Sequence, residues 1–231
     1  MFANDVSNSM NATDVQPSRL VAAKRAATSF LNRVTPSIAA GSIEFARHAI
    51  VLQSPTTDHR LTRTAIAQLE PGGGGTAIGD ALELALGAVT SAPKVGGKRP
   101  PGAIILISDG ASNVGTNPIL AALQAHKQHV RIYTVSIGTS RGTIQLKRAG
   151  HDVTSAVPVD PAELHQIATV SHGQAFRAAD AAAVQRIYAR LAKRLGQRRV
   201  PRGLETEFAA AGLVLLCGGL ALSLTWFGRL T

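Results

Sequence analysis

Ala103-Ile104-Ile105-Leu106-Ile107-Ser108-Asp109-Gly110 is the stretch from which the rest of the chain can be read. An unbroken apolar run from Ala103 to Ile107 that ends on a Ser-Asp-Gly corner marks a strand buried on both faces. Such strands belong to parallel sheets with helices on either side. Outward from it the pattern repeats. Ile119 to His126 reads as a helix, Val130 to Ile137 as another strand of the buried type, and Thr143 to Val157 as a hairpin insertion. Pro161 to Val170 reads as a helix, Gln174 to Arg177 as a short strand, and Ala181 to Leu195 as the last helix before the C-terminal segment.

On the N-terminal side, Ser91 to Pro101 is an exposed loop rich in Gly, Pro and Lys. Ala77 to Val89 and Leu61 to Leu69 read as helices, separated by Pro71 and the glycine run Gly72 to Gly75. Ser42 to Phe45 and His48 to Gln53 read as two tightly joined strands. Asp14 to Pro17 is a turn into a helix with Pro17 at its first position, and Leu20, Ala23, Ala27, Phe30 or Leu31, and Val34 recur at helical spacing. Alternating strands and helices predict an α/β fold with a doubly wound, mainly parallel sheet.

In such a sheet, ligands sit just beyond the carboxyl ends of the strands. Three pieces fall there. Asp5-Val6-Ser7-Asn8-Ser9 is a D-x-S-x-S pattern, Thr76 follows four glycines and opens a helix, and Asp109 directly follows the buried strand. Together they offer two carboxylates and three hydroxyls, all hard oxygen donors. Mg²⁺ or Mn²⁺ suits that set, and Zn²⁺ or copper suits it poorly. Taken singly, Asp5 reads equally as a turn residue, the glycines as a hinge and Asp109 as a helix cap; it is their order and placement that argue for one site.

These residues resemble the metal-ion-dependent adhesion site (MIDAS) of von Willebrand factor A (vWA) domains, and the likeness runs from Asp5 to about Leu195. The resemblance implies that Ser7 and Ser9 ligate the metal directly and that Thr76 joins them in some states. Asp5 and Asp109 then act largely through water, and an acidic side chain of a protein partner fills the open coordination position. Pro158-Val159-Asp160, Leu164, Ile167, Ala168 and Tyr188, with the C-terminal segment below, make the chain similar to the membrane-anchored Bat, or aerotolerance-type, members. Their association with MoxR-type AAA+ ATPases implies such an ATPase as a partner. The chain departs from the family at its start. Only Met1-Phe2-Ala3-Asn4 precedes Asp5, with Asn4 where an apolar residue is usual, and many Bat-type members carry two further membrane helices upstream. A truncated central strand is expected to leave unpaired backbone groups and a gap in the core, so the chain reads as an N-terminally truncated fragment.

Composition and charge shape the other end. Of 231 residues, 45% are hydrophobic and 16% charged, and the formal net charge is +10. Most of that excess lies between Arg186 and Arg202, in Arg186, Arg190, Lys193, Arg194, Arg198, Arg199 and Arg202. No aromatics interleave with the five cations from Lys193 to Arg202 for base stacking, which argues against nucleic acid. From Phe208 to Phe227 no charge occurs over the roughly 20 residues a bilayer demands, with Trp226 and Phe227 at one boundary. We read residues 1–195 as the vWA domain, 196–207 as a basic juxtamembrane linker and 208–227 as a transmembrane helix. Cations before the helix place the domain in the cytoplasm and the protein in the cell membrane. Met1 to Asn11 lacks the basic start and apolar run of a secretory signal. The lone Cys217 offers no internal disulfide, and His126 with His129, at a helix end, reads as solvent-facing rather than as a metal pair.

The function expected is a membrane-tethered, divalent-metal-dependent protein-binding module without enzymatic activity, serving assembly or chaperone-like work. One alternative is a Mg²⁺-dependent phosphoryl hydrolase using Asp5 or Asp109, against which stands the lack of a D-x-D-x-T or P-loop motif. Another is a metal-free structural membrane anchor.

Overall fold

The computed structural model describes residues 1–93, 100–148 and 151–196. Strands and helices alternate along them: β1 (Phe2–Asp5), α1 (Arg19–Arg33), β2 (Ala40–Phe45), β3 (Ala49–Thr56), α2 (His59–Ala67), α3 (Ile78–Thr90) and β4 (Ala103–Ser108), then α4 (Pro118–Lys127), β5 (Arg131–Ile137), β6 (Thr143–Arg148), β7 (His151–Ala156), α5 (Ala162–Val170), β8 (Gln174–Ala178) and α6 (Ala181–Gly196). Six strands form one sheet in the order β3-β2-β1-β4-β5-β8, parallel except where β3 returns antiparallel to β2. β6 and β7 pair separately as the expected hairpin.

The unbroken apolar run in β4 follows from this position. Ile105 and Ile107 point to one face, where α1 and α6 bring Leu20, Phe30, Val184 and Leu191. Ile104 and Leu106 point to the other, against Ile78 and Leu82 of α3, Ala122 of α4 and Ile167 of α5. Side chains alternate across a strand, so both faces must be apolar when both are covered.

β1 is short but central. Phe2, Ala3 and Asn4 pair with Ser42, Ile43 and Glu44 on one side and with Ile105, Leu106 and Ile107 on the other. The unpaired backbone and core gap expected beside so short a strand are not found along these partners. Phe2 is 2% exposed and fills the core, edge-on to Phe30 with ring centroids 5.3 Å apart. Asn4 is buried because its Nδ2 donates to Ser42 Oγ and to the Ile43 carbonyl, both at 3.1 Å. A polar side chain whose donors are satisfied is tolerated in such a place.

The start of α1 differs from the sequence reading. Pro17 precedes the helix, and Ser18 caps it by accepting from the Val21 amide at 3.3 Å. A hydroxyl cap satisfies an amide that the helix leaves unpaired, and this outweighs the preference of proline for the first turn. Leu20, Ala23, Ala27, Phe30, Leu31 and Val34 are all buried as the spacing requires. Among the described residues no helix is long and apolar enough to cross a membrane. The linker over 196–207, apart from its first residue, and the helix expected over 208–227 lie outside the described residues.

Candidate metal centre

The chain order reverses between β1 and β4, which lie side by side in the sheet. At such a switch point the loops leave in opposite directions and open a crevice at the carboxyl edge. Asn4 stands opposite Ile107, so Asp5 and the Ser108-Asp109 corner emerge together into it.

Asp5 is fully buried. Its Oδ1 accepts from the Ser7 amide at 2.8 Å, and its Oδ2 accepts from Ser108 Oγ. The first bond bends the chain after β1 into the 3-10 turn Asn8–Asn11, which lifts Ser7 and Ser9 over the strand ends. Ser7 Oγ and Ser9 Oγ lie 3.1 Å apart, and Ser9 Oγ donates to Asp109 Oδ1 at 2.8 Å. Four of the five residues expected from sequence are thus joined by one run of hydrogen bonds. Burial, and then the charge of Asp109, push the Asp5 carboxyl up to about 7, against the opposing pull of its hydrogen bonds from Ser108 and Ser7. A cation nearby would relieve the repulsion between the two carboxylates.

Thr76 approaches by a different route. Gly73 and Gly75 take φ of +85° and +96°, which glycine adopts at little cost. The chain so turned sets the Thr76 amide on Asn113 Oδ1 at 2.9 Å, while the Asn113 amide and Ser112 Oγ donate to the Thr76 carbonyl at 3.1 and 3.0 Å. The loop after Asp109 is therefore laced to the start of α3. Asp80 adds a further tie by accepting from the Thr116 amide at 2.7 Å. Among the described residues no hydrogen bond joins Thr76 to Asp5, Ser7, Ser9 or Asp109.

Sequence reasoning missed three members. Ser108, on the buried strand, binds Asp5. Arg19 is fully buried, and its Nη1 donates to Asp109 Oδ2 at 2.6 Å. Its Nε and Nη2 donate to the two oxygens of Asp14 at 2.8 and 2.7 Å, and Nη2 also reaches the Val157 carbonyl at 2.9 Å. Asp14 in turn accepts from the amide and hydroxyl of Thr139. Burial pulls the Asp14 carboxyl upward, but the bonds from Arg19 and Thr139 outweigh it and hold the group below its ordinary value. One signal was present, a cation on the stripe that α1 buries. Nothing in helical spacing names partners 5 and 90 residues away.

His126 and His129 are exposed, as expected. His126 stacks instead on His172, with ring centroids 4.4 Å apart.

Residues 1–111 match the family described as von Willebrand factor type A domain. A "UPF0353 protein" of Mycolicibacterium paratuberculosis is 37% identical over 239 residues, covering all of this chain and 70% of that protein. The crystal structure of BatB from Bacteroides thetaiotaomicron superposes with a TM-score of 0.70 at 28% identity, over 83% of this chain and 96% of that one. An aerotolerance-related membrane protein from Bacteroides fragilis gives the same TM-score at 26% identity, over 84% and 98%.

Proposed function

Because this chain belongs to the von Willebrand factor type A family, with BatB and aerotolerance-related proteins as structural neighbours, we propose that it is a divalent-metal-dependent protein-binding module tethered to a membrane. The observation that carries this reading is the hydrogen-bonded convergence of Asp5, Ser7, Ser9 and Asp109 at the switch point of the sheet. The donor set fits the cation: in this reading the hydroxyls of Ser7 and Ser9 hold Mg²⁺ or Mn²⁺, Thr76 joins them in some states, and Asp5 and Asp109 supply charge from behind. When bound, the cation supplies an electrophilic position for a carboxylate from the partner.

A binding role is favoured over catalysis because the chain has neither a D-x-D-x-T nor a P-loop motif for phosphoryl chemistry. The uncharged segment 208–227 supports the tether, as does the description of the B. fragilis relative as a membrane protein. The cations of the preceding linker support a cytoplasmic domain. In this reading the partner is a MoxR-type AAA+ ATPase offering a Glu or Asp, and the work done with it is assembly or chaperone-like.

The test is capture of a co-expressed MoxR-type ATPase by the full chain in detergent, in Mg²⁺ or in EDTA, beside Asp109→Ala. Capture that needs Mg²⁺ and fails in the variant is expected. Capture indifferent to both would remove the metal from the mechanism, and no capture under any condition would remove this partner.

A further inference from the structure

Arg19 is a cation built into the site, and its surroundings are shaped to hold it. A Cβ placed at Gly142 would stand 1.9 Å from Arg19 Nη2, and one at Gly138 would stand 2.6 Å from its Cζ. Gly138, with φ of +133°, follows β5 directly. These two glycines leave a slot that admits the guanidinium and little else. Within it the planar fork bonds Asp14 with Nε and Nη2, which leaves Nη1 to reach Asp109 Oδ2. A lysine ammonium lacks that fixed geometry.

The consequence falls on Asp109. Its Oδ2 is taken by Arg19 and its Oδ1 by Ser9 Oγ. We infer that Arg19 is a positioning residue that keeps Asp109 out of direct contact with the metal, so that the site draws its missing negative charge from the partner's carboxylate. The inference rests on the metal reading above and goes beyond it by assigning the open position to a particular side chain. Asp14 offsets the charge of Arg19 itself, so the pair adds orientation with little net repulsion toward a dication. A site whose own carboxylates are engaged binds metal weakly alone and more tightly with a carboxylate present. Metal and partner are thereby coupled, each raising affinity for the other by the same factor.

The experiment is titration of the full chain in detergent with Mn²⁺, free ion being read by electron paramagnetic resonance, with and without acetate as the carboxylate probe. The variants are Arg19→Met, Arg19→Lys and Asp14→Asn. In the unaltered chain acetate should tighten Mn²⁺ binding. Arg19→Met and Arg19→Lys should each bind Mn²⁺ alone about tenfold more tightly, a change of about 1.4 kcal/mol, and should lose most of the gain from acetate, because Asp109 is then free to coordinate. Lysine separates position from charge: a wild-type affinity in Arg19→Lys with tighter binding only in Arg19→Met would overturn the positioning role. Equal or weaker binding in both would overturn it too.

Near-ultraviolet circular dichroism checks that these variants fold. Should they fail, Asp14→Asn keeps an oxygen for Arg19 and Thr139 while removing the charge that offsets the guanidinium. It should bind Mn²⁺ several-fold more weakly, and unchanged binding would again overturn the inference. No Mn²⁺ binding by the unaltered chain is a separate result, since it would end the metal reading and this inference with it.

Discussion

At Asp5 burial and the charge of Asp109 both work against the ionised carboxylate. The Asp5 carboxyl is pushed up to about 7 from an ordinary value of 3.8. Between roughly pH 4 and pH 7 the folded chain in EDTA therefore holds a proton that the unfolded chain has released. The contribution of Asp5 to stability should fall as pH rises through that window and level off above it. The buried Met1 amino group, pulled down to about 5 by burial, works in the opposite sense between about pH 5 and pH 8. The Asp5 contribution is therefore read as the difference in guanidinium unfolding between the unaltered chain and Asp5→Asn across pH. A difference that stays constant between about pH 4 and pH 7 would contradict the electrostatics. Tyr188 makes a second prediction. Among the described residues its hydroxyl is buried without a hydrogen-bond partner, beside Phe2 and Phe30, and burial alone raises its pKa. Removing an unsatisfied buried group relieves its desolvation cost, so Tyr188→Phe should gain about 1 kcal/mol in denaturant unfolding; a loss would mean the hydroxyl is satisfied. At this scale Asp5, Ser7, Ser9 and Asp109, which hydrogen bonds join, were legible because each lies in a short local motif. Thr76 shares no hydrogen bond with them among the described residues. Arg19 and Asp14 escaped because their meaning depends on a contact across 90 residues.

Helices and strands were legible wherever apolar spacing was dense. β4 and β5 stood out as runs buried on both faces, and the hairpin of β6 and β7 as an insertion. What spacing cannot say is which group ends an element. That is why the start of α1 was misplaced, a hydroxyl cap being a single local bond. Ser18→Ala should lose about 1 kcal/mol, read by thermal unfolding, while Pro17→Ala should not remove the cap. Asn4 stands where an apolar residue is usual, and the partners that satisfy it lie on β2, outside any local window. Gly79 ties an element to the site. A Cβ there would stand 1.9 Å from the Thr116 carbonyl oxygen, so Gly79→Ala must push α3 away from the loop that holds Thr76. A loss of about 1–3 kcal/mol is expected for such overpacking, and unchanged stability would show that the loop yields freely.

The whole molecule combines a doubly wound sheet with a cluster of oxygen donors at its switch point, and a tether is proposed after α6 in the sequence. The fold class followed from the alternation of elements, and the place of the site followed from the fold class, since ligands gather where strand order reverses. The tether rests on composition, because a bilayer sets the length of the segment that crosses it. Resistance of the full chain to alkaline extraction from membranes, lost on deletion of residues 208–227, would support it; full extraction of the intact chain would not.

Thermal unfolding of the full chain in detergent, with millimolar Mg²⁺ or Mn²⁺ and in EDTA, beside Asp109→Ala, decides whether the cluster at the switch point binds a cation. A cation that binds only the folded state stabilises it by about 2.7 kcal/mol at a hundred times its dissociation constant. That corresponds to a rise of about 5–10 °C in midpoint for a domain of this size. Such a rise is expected in the unaltered chain and none in Asp109→Ala. A midpoint indifferent to metal, or an equal rise in the variant, would contradict a metal site there.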